Sequence, residues 1–177
     1  MEVGSGEPLG AWLAAEGFEP YAQMVVMARP VEGLPRPPFV AGVSVEPYRN
    51  AWSEAFTAAE AMAMEGLAAF REMGQPTGYE EAEGFDAFAI VRDERDMLGF
   101  AQAMIPEGWI NWMGVVPAAR RRGLGHMLIA DLARQVREAR GTHLAALVEQ
   151  GTPGRAFLSA LGFRERGGPR TLMIRRA

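Results

Sequence analysis

An α/β fold built on a mixed β-sheet is what this 177-residue chain predicts, and three observations predict it. From Val43 onward the pattern reads strand, helices, three strands, helix, strand, helix, strand. Strands that alternate with helices form layered α/β domains, and strands joined by tight turns lie antiparallel, so the sheet is mixed. Apolar residues make up 49% of the chain, enough to bury a core and to argue against disorder. A glycine-bearing turn, Gly123-Leu124-Gly125, stands where a strand gives way to a helix.

The elements follow in order. Leu9 to Ala15 reads as a short helix stopped by Gly17, and Phe18 to Ala28 as extended. Pro30, Pro35, Pro37 and Pro38, with Gly33, preclude a regular element and mark a linker. Val43 to Pro47 alternates as a strand. Asn50 to Met73 carries Trp52, Phe56, Ala59, Ala63, Leu67 and Phe70 at helical spacing, which implies one long helix or two in succession. Gly74 to Gly84 is a polar loop. Phe85 to Val91 and Met97 to Ile105 form a hairpin around Asp93 to Asp96, and Pro106-Glu107-Gly108 turns into a third strand, Trp109 to Val116. A helix then runs to about Arg140, its buried stripe being Leu124, Leu128, Leu132 and Val136. Leu144 to Val148 is a continuous apolar run, as expected of a strand buried on both faces. Arg155 to Leu161 is a helix, and Phe163 to Arg175 supplies two strand segments around Gly167-Gly168-Pro169.

Composition narrows the chemistry. The net charge of -4 gives no overall attraction to nucleic acid or an anionic membrane, and neither partner is expected. Without cysteine there is no disulfide, thiolate ligand or cysteine nucleophile. His126 and His143 are the two histidines, too few for an ordinary zinc site, so no metal is expected. No apolar run has the length of a membrane span, and Met1 to Gly10 lacks the pattern of a secretory leader; a cytoplasmic location is expected.

Chemistry concentrates at Val115-Val116-Pro117-Ala118-Ala119-Arg120-Arg121-Arg122-Gly123-Leu124-Gly125. The first-turn NH groups of a helix lack internal partners and carry the positive end of its dipole. Such a turn suits a phosphate, and glycine lets the backbone approach the anion closely. The neighbouring arginines add charge and forked donors.

This stretch resembles the central motif of the GNAT superfamily of N-acetyltransferases, Gln/Arg-x-x-Gly-x-Gly/Ala after a strand and a Val-x-Pro. Arg120 to Gly125 fits every fixed position, and Val115-Val116-Pro117 stands in front of it. Phe157 to Phe163 resembles the family's later helix ending in Leu-Gly-Phe. The resemblance covers about Val43 to Ala177. It implies a mostly antiparallel central sheet with helices on both faces, in an acyl-CoA N-acyltransferase fold. It also implies acetyl-CoA as cofactor, with the pyrophosphate held by the loop: Arg120, Arg121, Arg122, Gly123, Leu124, Gly125 and His126. The pantetheine arm would pair with Met113, Gly114 and Val115. The reaction implied is acetyl transfer from acetyl-CoA to a primary amine of a small molecule or a protein amino terminus.

The positions where the family often keeps catalytic groups hold other residues here. The tyrosine that protonates the leaving thiolate falls at Leu158, and the carboxylate bases fall at Trp109 and Ala146. Three polar residues remain as candidates: Glu107 before the third hairpin strand, Glu149 after the next strand, and Asn111, which the two-residue strand period puts on the side of Met113 and Val115. The alternative is a non-catalytic acetyl-CoA-binding or dimerisation module. Glu54, Glu60, Glu65, Glu80, Glu81 and Glu83 make the helical region acidic, which favours a cationic amine acceptor.

An internal echo completes the reading. Trp12 to Phe18 and Phe157 to Phe163 share a helix ending in Gly-Phe, each followed by an extended segment with a late methionine, Met27 and Met173. The division expected is 1–38 as a helix-strand appendage and proline-rich linker, and 39–177 as the GNAT-like domain. The appendage resembles the end of a second such domain. Its strand around Val25-Val26-Met27 is expected to be paired, either on the domain's own sheet or in a homodimer.

Overall fold

The computed structural model describes residues 7–65 and 86–175. The elements are α1 (Glu7–Ala15), β1 (Phe18–Pro30), β2 (Ser44–Pro47), α2 (Ser53–Met64), β3 (Asp86–Arg92), β4 (Met97–Met104), β5 (Trp109–Val115), α3 (Leu124–Glu138), β6 (His143–Glu149), α4 (Pro153–Ala160) and β7 (Arg164–Arg175). A tight 3-10 turn, Asn50–Trp52, leads into α2, so the start of the expected long helix is a turn. The rest of that helix, with Leu67 and Phe70, lies outside the described residues. So do Phe85, the loop Gly74 to Gly84, and Glu80, Glu81 and Glu83. No helix among the described residues is long and apolar enough to cross a membrane.

The strands form one seven-stranded sheet in the order β2-β3-β4-β5-β6-β1-β7. Every neighbouring pair is antiparallel except β5 and β6, which are parallel because α3 crosses between them. The mixed sheet, the hairpin β3–β4 and the helix after the glycine turn thus appear as the sequence predicts.

Each face has its own cluster. Leu124, Leu128, Ile129, Leu132 and Val136 of α3 pack on Ala87, Ala89, Val91, Ala101 and Ala103, with α4 on the same face through Phe157, Leu158 and Leu161. Small residues on β3 and β4 let the helix lie close. On the other face α2 sets Phe56 and Ala63 against Phe88, Ile90 and Phe100. The Phe56 ring meets Phe88 and Phe100 edge-on, with centroids 5.4 and 5.0 Å apart.

β1 is an interior strand. It runs antiparallel to β6 from Met24↔Glu149 to Pro30↔His143, and antiparallel to β7 from Phe18↔Arg175 to Ala28↔Arg164. The segment around Val25-Val26-Met27 is therefore paired within the chain, on both sides. The two halves of the echo, α1–β1 and α4–β7, bring their strands together as neighbours.

Two expectations are corrected. The run from Leu144 to Val148 is not buried on both faces: Leu144 is fully buried but Leu147 is 43% exposed, because α3 and α4 share one face and α2 sits over β4 and β5. Phe163 to Arg175 yields one strand, β7, in place of two segments. Its pairing slips where Gly167-Gly168-Pro169 pass a single residue, Val25.

Candidate functional site

β5 and β6 part company early. They are bridged only at Trp109↔Ala145 and Ile110↔Ala146. On the other edge of β5, Ala103 pairs with Ile110 while Gln102 pairs with Trp112, which leaves Asn111 as the extra residue of a bulge. A bulge bends and twists its strand. The bend falls one residue past the last bridge to β6, so from Asn111 to Val115 the edge of β5 that faces β6 has no strand partner. A slot opens between the two strands, lined by residues 111–115 of β5 and 147–149 of β6.

The bulge also resets which side chains face where. Gly114 faces α2, since a Cβ on it would lie 2.7 Å from Ala63 Cβ and 3.1 Å from the Phe100 ring. Trp112 faces α2 as well and gives its indole NH to the carboxylate of Glu60. Met113 faces α3, its Cε 3.4 Å from the Cβ position of Gly125. Asn111 is exposed, at the point where the strand alternation is interrupted.

At the C-terminal end of β5 the chain makes a 3-10 turn at Pro117–Ala119 and enters the glycine loop. Arg121 and Gly123 take left-handed backbone angles, φ 66 and 84. Turns of this kind aim successive NH groups to one side. The amides of residues 121–125 have no hydrogen-bond acceptor among the described residues; the next two, His126 and Met127, both bond to the Gly123 carbonyl. They lie at the positive end of α3, a cradle that fits a diphosphate.

The three arginines divide the work. Arg120 donates from Nε to the Val115 carbonyl at 3.0 Å and from its terminal nitrogen to the Ala63 carbonyl at 3.0 Å, so it braces the loop. Arg121 and Arg122 are exposed, with no side-chain hydrogen bond among the described residues. Asp93, in the β3–β4 turn, sits below the usual carboxylate range, chiefly through the Asp96 and Arg95 amides and to a lesser degree through nearby Arg122.

His126 shows something the sequence did not signal. Its Nε2 lies 2.7 Å from the carbonyl oxygen of Pro35. A Cβ on Gly123 would run into the Pro38 ring. The proline linker therefore crosses the loop as a strap, and the His126 ring is engaged by the strap while its amide belongs to α3.

The candidate polar residues are dispersed. Glu107 is exposed in the turn before β5, at the end of the sheet where β5 and β6 are still bridged. It stands four residues, roughly 13 Å of extended chain, from the bulge. Glu149 ends β6 in the open part of the slot, level with Met113 if the register of Ile110↔Ala146 is continued. Its Oε2 is buried and has no hydrogen-bond partner among the described residues. Leu158 and Ala146 are buried apolar residues, 5% and 6% exposed.

Sequence reading also placed Glu60 on an acidic helix face, whereas it is 2% exposed. The signal lay in the helical spacing: Phe56, Glu60 and Ala63 share the stripe that packs on the sheet. Burial raises the Glu60 pKa, and the Trp112 hydrogen bond opposes the shift.

An α/β domain with a turn of free backbone amides beside a parted pair of parallel strands is thus defined. Residues 91–171 match the family model described as FR47-like protein. In three dimensions the chain resembles a GCN5-related N-acetyltransferase from Sphaerobacter thermophilus, with TM-score 0.64 and 16% identity over 98% of this chain and 56% of that one. It resembles a tandem GNAT protein from the clavulanic acid biosynthesis pathway, with TM-score 0.66 and 15% identity over 97% and 58% of the two chains. It also resembles AAC(6')-Iy in complex with a bisubstrate analog, CoA-S-monomethyl-acetylneamine, with TM-score 0.57 and 21% identity over 76% and 98%. No curated protein matches the sequence. The chain spans 56% and 58% of the length of the first two structures. Its fold is that of the GCN5-related N-acetyltransferase structures it resembles.

Proposed function

We propose that this domain transfers an acetyl group from acetyl-CoA to the nitrogen of a primary amine. The observation that carries the reading is the run of free amides at residues 121–125, set at the end of a strand whose inner edge is open from Asn111 to Val115. Amides 121–125 hold the pyrophosphate, with Arg121 and Arg122 adding charge. The open edge at Met113 to Val115 takes the polar pantetheine arm as a strand would, and a main-chain NH in the slot polarises the thioester carbonyl. Holding the amine in line with the thioester supplies much of the acceleration. Glu149 accepts the proton that the attacking amine loses; the C–N bond forms, the C–S bond breaks, and the thiolate takes a proton from water. Neither Glu107 nor Asn111 has a comparable position: Glu107 lies beyond the closed end of the slot, and Asn111 serves by shaping the bulge.

One observation favours a second reading, that the domain binds acetyl-CoA without transferring its acetyl group. Leu158, where a proton-donating tyrosine is common in the family, is buried in the core. Calorimetric titration with acetyl-CoA, together with thiol release on a panel of amines, separates the readings. Binding that is lost in Arg121→Glu/Arg122→Glu and weakens with salt supports the cofactor site. Thiol release supports transfer, and binding without release supports the second reading. Failure of the wild-type protein to bind overturns both. Gly123→Glu is a poor probe, because its side chain would displace Pro38 whatever the loop binds.

A further inference from the structure

The slot has two mouths. α3 and α4 fill one face of the sheet, where Gly125 meets Phe157 and Met113. The donor's phosphates belong to that side, so the acceptor meets the thioester from the opposite face.

Directly paired residues of antiparallel strands share a face. On the opposite face Met24 of β1 has Glu149 as its partner on β6 and Arg170 as its partner on β7. One step along, Val26 has Leu147 and Arg166. Leu147 is exposed on this face next to the slot, while Met24, between the charged residues Glu149 and Arg170, is buried. Glu149 and Arg170 are thus two strand spacings apart, about 10 Å between Cα positions, and their side chains close part of that gap.

The two arginines are unspent. Arg134 is paired with Asp131 and Glu138, Arg155 with Glu165, and Arg49 and Arg92 lie over the Trp52 ring. Arg166 and Arg170 have neither a carboxylate nor a hydrogen-bond acceptor among the described residues. They flank the slip at Gly167-Gly168-Pro169, which distinguishes this part of β7 from a plain charged edge. A carboxylate oxygen with no donor and two guanidiniums with no acceptor therefore face the same side, within reach of one small molecule.

We propose that the acceptor is a small amine bearing its own anionic group, an amino acid or a phosphorylated amine. The amine lies at Glu149 and the anion at Arg166 and Arg170. This assignment rests on the acetyl-transfer reading above and adds the acceptor class to it. It also accommodates a cationic acceptor nitrogen, since the amine and the anion occupy separate ends of one molecule.

The experiment compares amino acids and aminoalkyl phosphates with their methyl esters and amides, using thiol release at saturating acetyl-CoA, in wild type and in Arg166→Gln/Arg170→Gln. Acetyl-CoA affinity is followed by calorimetry in both proteins. The expected result is at least tenfold higher kcat/KM for the anionic amines. In the double variant this preference falls to near unity, chiefly through KM, with acetyl-CoA affinity unchanged. Equal use of neutral and anionic amines overturns the proposal, as does a preference that survives in the double variant. So does the absence of thiol release with every anionic amine from a protein that binds acetyl-CoA. Loss of acetyl-CoA binding by wild type is a different failure, that of the cofactor reading.

Discussion

The guanidinium of Arg120 reaches the carbonyl of Ala63 at 3.0 Å, and so ties the glycine loop to the last turn of α2. The same side chain donates to Val115 at the end of β5. The end of α2, 57 residues away in sequence, thus meets the end of β5 and the start of the loop at one planar, forked group. A lysine cannot serve both carbonyls in that geometry. We expect Arg120→Ala to lower stability by about 1–2 kcal/mol, the scale of charged-donor hydrogen bonds at a partly exposed site. Acetyl-CoA affinity should fall in parallel, and Arg120→Lys should recover little. Urea unfolding and calorimetry on the folded variants check this; a variant with wild-type stability and affinity would remove Arg120 from its bracing role.

Gly123 and Gly125 belong to the same motif for different reasons. Gly123 sits at φ 84, where a side chain is strained, and Pro38 covers its Cβ direction. Gly125 has an ordinary helical backbone, and its Cβ position is 3.1 Å from the Phe157 ring. Gly123→Ala should cost about 1–2 kcal/mol from the backbone alone, before the strap is moved. Gly125→Ala should come out near neutral, because a helix-propensity gain of up to about 1 kcal/mol offsets a small shift of the ring. Gly125→Val should cost about 1–3 kcal/mol by overpacking. Denaturant midpoints should rank the three variants in that way, and equal losses for the two alanine variants would contradict the distinction.

The fold was legible in the sequence where periodicity is strong. The α3 stripe, the β3–β4 hairpin and the turn at Gly123 all depend on local pattern, and local pattern is what a single sequence displays. The candidate site was legible at the loop, because a phosphate cradle needs only a strand end, a helix start and glycines. What stayed hidden depends on long-range pairing. The Asn111 bulge exists only relative to Gln102 and Ala103 on the neighbouring strand. The Pro35–His126 contact joins residues 91 apart. Whether Leu147 is covered depends on which face α4 takes, and nothing between Leu144 and Val148 encodes that. Glu60 lies between these cases: its place in the apolar stripe was visible, and its partner Trp112 was not.

That buried pair gives a pH signature. Burial raises the Glu60 pKa above its ordinary value of 4.5. A carboxyl whose pKa is higher in the folded state binds its proton more tightly there. Its contribution to stability is full below pH 4.5 and is lost as pH rises through the folded-state value. Glu60→Gln keeps an oxygen that can accept from Trp112 and cannot ionise. The difference in melting temperature between Glu60→Gln and wild type should therefore shift in favour of the variant as pH rises from 4 through about 7. Parallel melting curves across that range would mean that Glu60 has an ordinary pKa in the folded protein.

The interior position of β1 leads to a prediction about where the chain can be cut. β6 and β7 share no ladder; each pairs with β1 instead. β1 also carries Val25 and Met27 into the main core, with Val31 just beyond it. Its buried Arg29 donates to the carbonyls of Leu161 and Glu32, which fastens the end of α4 to the start of the linker. Removing residues 1–38 would free both edges at once and expose the underside of α4. The fragment 39–177 should be insoluble or lack a cooperative melting transition, and a chain beginning at Glu16 should fold, because it keeps all of β1. Within the full chain, Arg29→Met should cost about 2–4 kcal/mol, since it leaves buried carbonyls without their donor. A soluble 39–177 fragment that melts cooperatively and binds acetyl-CoA would show that β6 and β7 can close on each other, and that β1 is an addition to the sheet with no structural part in it.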